Sequence, residues 1–172
     1  MPKRLAPITD EDRIQGEADA PLALVEYGDF QCPHSRVAYT LVKRLQRKFG
    51  ARLRFVYRNF PLTGIHPLAE PAAEAAEFAA VHDRYSPMYD AIFDHQASLA
   101  PEMLVAEAAR LGLNPEQAER AMEDQAFSER IERDPASGEE VGVHGTPTFF
   151  INGVHYTGAW DYDELSQALQ NA

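Results

Sequence analysis

Leu22-Ala23-Leu24-Val25-Glu26-Tyr27-Gly28-Asp29-Phe30-Gln31-Cys32-Pro33-His34-Ser35 is the stretch that decides the architecture. It begins as a short, mainly apolar run and ends at Gly28-Asp29, the pattern of a buried central strand. Beyond Cys32, Pro33 opens a segment with Val37, Leu41, Val42, Leu45 and Phe49 at helical spacing, and Gly50 closes it as a C′ residue. Residues 52–58 then alternate, with Leu53, Phe55 and Tyr57 on one face of a second strand. Strand, long helix, strand is a βαβ unit, so the two strands are expected to be parallel with a right-handed crossover.

Residues 1–20 are polar and read as a partly ordered arm, with 1–13 outside the domain and 14–172 forming it. Residues 67–142 read almost entirely as helix. Segments are expected over 71–82, from an N-cap at Ser86 with Pro87 at N1, and over 101–111 with Gly112 as the stop. A further one starts from an Asn114 cap, and the last, 127–141, must be kinked or restarted by Pro135. The chain then returns to β structure. Thr148 to Ile151, Asn152-Gly153 and Val154 to Thr157 read as a hairpin, because Asn-Gly tolerates the positive φ angles of a type I′ turn. Asp161 caps a final helix, with Trp160 and Leu165 placed as a hydrophobic staple. The order βαβ, helical block, ββα is α/β with an all-helical insertion at about 67–142.

The chain has 172 residues, enough for one domain with an ample core, and a single cysteine, so no internal disulfide contributes. A net charge of −11 opposes nucleic acid and anionic membranes as partners. The basic cluster at 43–48 reads as a solvated helix end. No stretch approaches the ~18 apolar residues of a membrane span. The first ten residues lack the apolar run of a secretory leader, which gives a cytoplasmic expectation. His66, His82, His95, His144 and His155 show no zinc-like spacing, so no metal is expected. Glu74, Glu77 and Glu107 read as solvated helix faces, and Tyr85, Met88, Tyr89, Ile92 and Phe93 as packing the helical insert onto the rest.

Cys32-Pro33-His34-Ser35 has the form of a dithiol redox motif whose second cysteine is serine. Cys32 falls at the C-terminal end of a strand and at a helix N-cap, where free N–H groups and the helix dipole stabilise a thiolate. His34 can add charge or a hydrogen bond, and the Ser35 hydroxyl can donate to the sulfur from one turn up. Glu26, inside the apolar strand, is either an edge carboxylate in solvent or a desolvated base under the cysteine; periodicity does not choose. Gly145-Thr146-Pro147-Thr148 enters the hairpin, where a cis Thr146–Pro147 bond would be a deliberate feature.

The blocks 25–34, 54–62 and 142–153, in this order, resemble the DsbA family of thiol–disulfide oxidoreductases, and within it the soluble, signal-less bacterial branch. The resemblance runs from about residue 14 to the C-terminus. It implies a thioredoxin fold with a helical insertion, Cys32 as nucleophile, and Pro33 and His34 as the dipeptide that tunes it. It implies that Glu26 is the buried acid of the superfamily, that Pro147 is the cis-proline, and that Thr146 faces the sulfur and helps bind an extended peptide. His144, just before that loop, is expected to line the cleft. Ser35 in place of the resolving cysteine and Pro135 within a helix depart from the family pattern.

With Ser35, a mixed disulfide on Cys32 still forms and intramolecular resolution is lost. The leading reading is therefore a single-cysteine thiol–disulfide exchange protein acting on protein or peptide thiols and disulfides. It needs no cofactor; glutathione is a candidate co-substrate, and glutathione or a thioredoxin-type reductant a candidate partner. The alternatives are a dithiol enzyme carrying an engineered serine trap at Ser35, a kappa-type glutathione transferase or isomerase, and a non-enzymatic client-binding module.

Overall fold

The computed structural model describes residues 4–172. The expected βαβ unit is present: β2 (Leu22–Gly28), α1 (Pro33–Phe49) and β3 (Leu53–Asn59), with β2 and β3 parallel in register from Leu22↔Leu53 to Gly28↔Asn59. The insertion is all helical: α2 (Ala69–Ala80), α3 (Tyr85–Asp94), α4 (Pro101–Arg110), α5 (Pro115–Glu123) and α6 (Ser128–Glu140). β4 (Thr148–Ile151), β5 (Val154–His155) and α7 (Tyr162–Gln170) follow. Asn152 and Gly153 both have positive φ (47° and 82°), as a type I′ turn requires. The Asp161 and Asn114 carboxylate and amide oxygens cap α7 and α5 by accepting the Glu164 and Gln117 N–H groups.

The arm is more ordered than its polarity implies. Arg13–Gln15 forms β1, antiparallel to β3, and among the described residues the sheet order is β1-β3-β2-β4-β5. Pairing with the free edge of β3 is a long-range event that no local pattern announces. Arg58 on β3 fixes the rest of the arm: it donates to the Asp12 carboxylate at 2.9 and 3.0 Å and to the Ala6 and Pro7 carbonyls at 3.0 and 3.2 Å.

Both sheet faces are covered. One carries Leu24, Leu53, Phe55, Tyr57 and Phe149, under α1, α7 and the insertion. The other carries Val25, Tyr27, Val56 and Phe150, with Phe60, Val143 and the arm residues Leu5, Ile8 and Ile14. Tyr89 and Phe93 of α3 join the two parts of the domain, with ring centroids 5.2 and 6.0 Å from Tyr57. The expected packing of Tyr85, Met88, Tyr89, Ile92 and Phe93 against the sheet is thus what is observed.

Several local expectations need correction. Helix α3 starts at Tyr85 with Arg84 as N-cap, not at Ser86; Pro87 is tolerated because first-turn N–H groups have no intrahelical partner. Helix α6 runs unbroken through Pro135. The lost rung is offset by Asp134, whose carboxylate accepts the Asn59 N–H at 2.8 Å and Arg130 at 2.9 Å. Val37 is 55% exposed, and Ala38 and Tyr39 take its place in the core. Trp160 lies 43% exposed with its ring 5.7 Å from His34, in place of the expected staple.

Glu74 and Glu77 are buried, not solvated. Glu74 accepts the Phe127 N–H at 2.8 Å, and Glu77 accepts Arg13 Nε at 2.9 Å. Helix α2 is sandwiched by neighbours, so even its polar positions are covered. Glu107 is partly buried and pairs with Arg110. Arg13→Ala should leave the Glu77 carboxylate buried without its partner and lower urea-unfolding stability by about 3 kcal/mol, more than Glu77→Gln does.

Candidate functional site

Cys32 sits at the N-cap of α1 with extended backbone (φ −70°, ψ 125°), and Pro33 follows at N1. Its side chain makes no capping hydrogen bond, so the sulfur stays beside the unpaired N–H groups of the helix end. The residue is 4% exposed, and its thiol points at the Thr146 carbonyl, 3.8 Å away. The Thr146–Pro147 bond is cis. His34 is exposed and meets the Trp160 ring edge to face. Beside the loop lies a groove of about 310 Å³ lined by Gly142, His144, Thr146, Pro147, Tyr156 and Trp160. Thr146, Pro147 and His144 are therefore brought to one opening, and Cys32 abuts it through Thr146.

The turn that delivers Cys32 is built by Asp29. Its Oδ1 accepts the N–H groups of Gln31 at 2.7 Å and Cys32 at 3.1 Å. Its Oδ2 accepts the Leu62 N–H at 2.9 Å and faces His66 Nδ1 at 2.8 Å. Gln96, in the 3-10 turn after α3, donates to the carbonyls of Phe30 at 2.9 Å and Cys32 at 3.0 Å. Gln31 Oε1 accepts the Leu68 N–H at 2.7 Å. Sequence reading missed Asp29, His66 and Gln96. The D-x-x-C spacing of Asp29 to Cys32 signals a side-chain-capped turn, whereas nothing local marks His66 or Gln96.

Ser35 is fully buried. Its hydroxyl oxygen accepts the Asp29 N–H at 3.2 Å, and among the described residues it makes no hydrogen bond to the sulfur, so the expected donation to Cys32 is corrected. The helix places Ser35 over the turn that precedes the cysteine, and the nearest free donor is there.

Glu26 is buried, 1% exposed, so the edge-carboxylate alternative is excluded. In the register it lies between Tyr57 and Phe149. Neither carboxyl oxygen has a hydrogen-bond partner among the described residues, and neither has the Tyr57 hydroxyl. Burial alone pushes Glu26 up to about 8. The Tyr57 hydroxyl is pushed well above its ordinary value by burial, then by the Glu26 charge. Gly28 leaves the room they need: a Cβ there would stand 2.4 Å from the Tyr57 ring and 2.7 Å from Glu26 Oε2. Among the described residues no group of three or more His, Cys, Asp or Glu is placed to hold an ion.

Residues 9–171 match the family described as thioredoxin, and the chain belongs to it. Oxidised BdbD from Bacillus subtilis shares the fold with a TM-score of 0.88 at 22% identity, over 98% of this chain and 96% of that one. A thioredoxin-like oxidoreductase from Silicibacter pomeroyi DSS-3 does so with a TM-score of 0.80 at 24% identity, over 95% and 92%. The architecture is thus the thioredoxin-like, DsbA-like fold, here with a single cysteine. A different similarity is to the Na(+)/H(+) antiporter NhaA 1 of Salinispora arenicola, 38% identical over 163 residues, 95% of this chain and 25% of that protein. The chain spans about a quarter of the length of the curated relatives it matches.

The cytoplasmic expectation is overturned. One protein that shares the fold is described as a periplasmic thioredoxin-like protein from Salmonella enterica serovar Typhimurium (TM-score 0.77, 17% identity, 94% and 89% covered). No helix among the described residues is long and apolar enough to cross a membrane.

The buried acid gives the domain a pH signature. In the unfolded chain Glu26 ionises near 4.5, and in the fold near 8. The stability that the neutral carboxyl contributes is fully present below pH 4.5 and is lost as pH rises through 8. Glu26→Gln should remove that loss. Its unfolding free energy, followed by urea titration, should gain on the natural protein by a few kcal/mol between pH 4.5 and 9, at about 1.4 kcal/mol per pKa unit.

Proposed function

We propose that this protein is a DsbA-like thiol–disulfide exchange protein that works through the single nucleophile Cys32. The observation that carries the reading is the position of the sulfur: at the N-cap of α1, without a capping bond, against the Thr146 carbonyl and beside an open groove. In the step proposed, the Cys32 thiolate attacks one sulfur of a partner disulfide. A new S–S bond forms to Cys32 and the second partner sulfur leaves as thiolate. An external thiolate, from glutathione, a thioredoxin-type reductant or a protein thiol, then attacks the mixed disulfide and returns Cys32 to the thiolate. No redox cofactor enters, and over the full cycle the protein is neither oxidised nor reduced.

Pro33 and His34 shape the helix start that tunes the sulfur, and Ser35 braces it through Asp29. Glu26, neutral at pH 7 with its value near 8, serves as the buried acid–base group that gives a proton to a thiolate or takes one from the thiol. Thr146, Pro147 and His144 flank an extended peptide in the groove. Residues 14–172 form the working unit, with 1–13 as its arm and 67–142 as its insertion. The identity to antiporter sequences, confined to a quarter of their length, supports one further proposal: the domain also occurs as a module carried by an ion antiporter.

Incubation with glutathione disulfide should give one glutathione adduct by mass spectrometry, on Cys32, absent from Cys32→Ala and released by reduced glutathione. Ser35→Cys should gain the ability to catalyse insulin reduction that the natural protein lacks. Failure of the natural protein to form any adduct across redox buffers would overturn the reading.

A further inference from the structure

The network around Asp29 is the most complete polar cluster next to Cys32, and the exchange reaction does not by itself use it. The Asp29 side chain is fully buried, yet both its oxygens are doubly bonded, and the donors come from two separate segments. Gln31 and Cys32 belong to the cysteine turn, whereas Leu62 and His66 belong to the connection between β3 and α2. A carboxylate oxygen only accepts, so His66 Nδ1 must carry the proton and donate across the 2.8 Å separation. His66 is largely buried, and the structure gives its ring no other hydrogen-bond partner among the described residues. The other titratable groups around the pair are the Cys32 thiol in the same turn, the Tyr57 hydroxyl on β3 and Glu26 beside Tyr57.

We propose that His66 is a positioning residue for Cys32: by donating Nδ1–H to Asp29 it orients the carboxylate that holds the Cys32 N–H, and it draws off negative charge that would oppose a thiolate. The chemistry follows from the geometry. Without the His66 donor, Oδ2 keeps only the Leu62 N–H, the carboxylate is free to turn, and Oδ1 loosens its grip on the cysteine turn. The same loss concentrates negative charge three residues from the sulfur, which makes a thiolate harder to form. Asn at this position can supply an N–H donor without an imidazole.

The inference rests on the reading of Cys32 as a reactive nucleophile, and one experiment separates the two. Cys32 is the only cysteine, so its alkylation by iodoacetamide can be followed against pH without interference. For the natural protein, a midpoint below that of a free thiol supports the nucleophile reading, and a free-thiol midpoint counts against that reading alone. The positioning role is tested by the difference between variants. His66→Ala should raise the midpoint by roughly half a pH unit and slow alkylation about threefold at pH 7. His66→Asn should recover most of the rate, and both should keep the natural far-UV circular dichroism. An unchanged His66→Ala midpoint overturns the proposal, as does a change that Asn leaves unrescued. If His66→Ala does not fold, imidazole nitrogen shifts of the natural protein decide, with His66 assigned by comparison with His66→Asn. The Nδ1–H tautomer at neutral pH is expected, and the Nε2–H tautomer overturns the proposal.

Discussion

Covering the central sheet on both faces is the constraint from which the remainder follows. β2 and β3 run parallel and side by side, so nearly all residues along them are buried on one face or the other. A polar side chain in the middle of either strand is cut off from solvent. Glu26 and Arg58 are both caught this way, and the molecule treats them in opposite manners. Arg58 is surrounded by acceptors: Asp12, the Tyr27 hydroxyl and two arm carbonyls. Burial works against its charge, but Asp12 and Tyr27 outweigh it and keep it cationic. Glu26 has no hydrogen-bond partner among the described residues, and burial alone acts on it. One buried polar residue therefore ties the arm to the sheet, while burial holds the other's carboxyl well above the usual carboxylate range, at about 8.

At the C-terminal ends of β2 and β3 the same economy appears in the loops. Two stretches far apart in the sequence, the connection from Leu62 to Leu68 and the turn at Gln96, converge on the cysteine turn through Asp29, Gln31 and Gln96. The helical insertion is thus more than a cover for the apolar face. Its first connection and its middle turn both hold the backbone that presents the sulfur. In the exchange proposed for Cys32, rigid presentation would matter because the sulfur must meet a partner sulfur in line, and misplacement forfeits the advantage of a held geometry.

What the sequence made legible was whatever is decided within a few residues. The βαβ unit, the Asn152-Gly153 turn and the Asp161 and Asn114 caps are short-range patterns with a physical cause, and they are where they were expected. The resemblance in three blocks added the fold and the candidate cluster, and the structure brings Cys32, Thr146 and Pro147 together. What stayed hidden depends on partners distant in sequence. β1 exists because β3 has an edge to fill, Glu74 and Glu77 are buried because α2 is packed on several sides, and His66 matters only because Asp29 lies opposite. Val37 and Trp160 fit their local templates, yet tertiary contacts chose neighbours of Val37 for the core and His34 for Trp160.

Ser35 has a further consequence for time. Buried and bonded to the Asp29 N–H, it stands at the sequence position where a dithiol C-x-x-C motif carries its second sulfur. In the exchange proposed for Cys32, a disulfide made to it would have no exit within the molecule, because the chain has no second cysteine, and its decay would be second order. How long the adduct lasts is set by the concentration of thiol in the surroundings, so its half-life lengthens in proportion as those thiols are depleted. A dithiol protein resets itself at a pace fixed by its own structure; one working through a single sulfur, as proposed here, keeps time by the medium in which it stands.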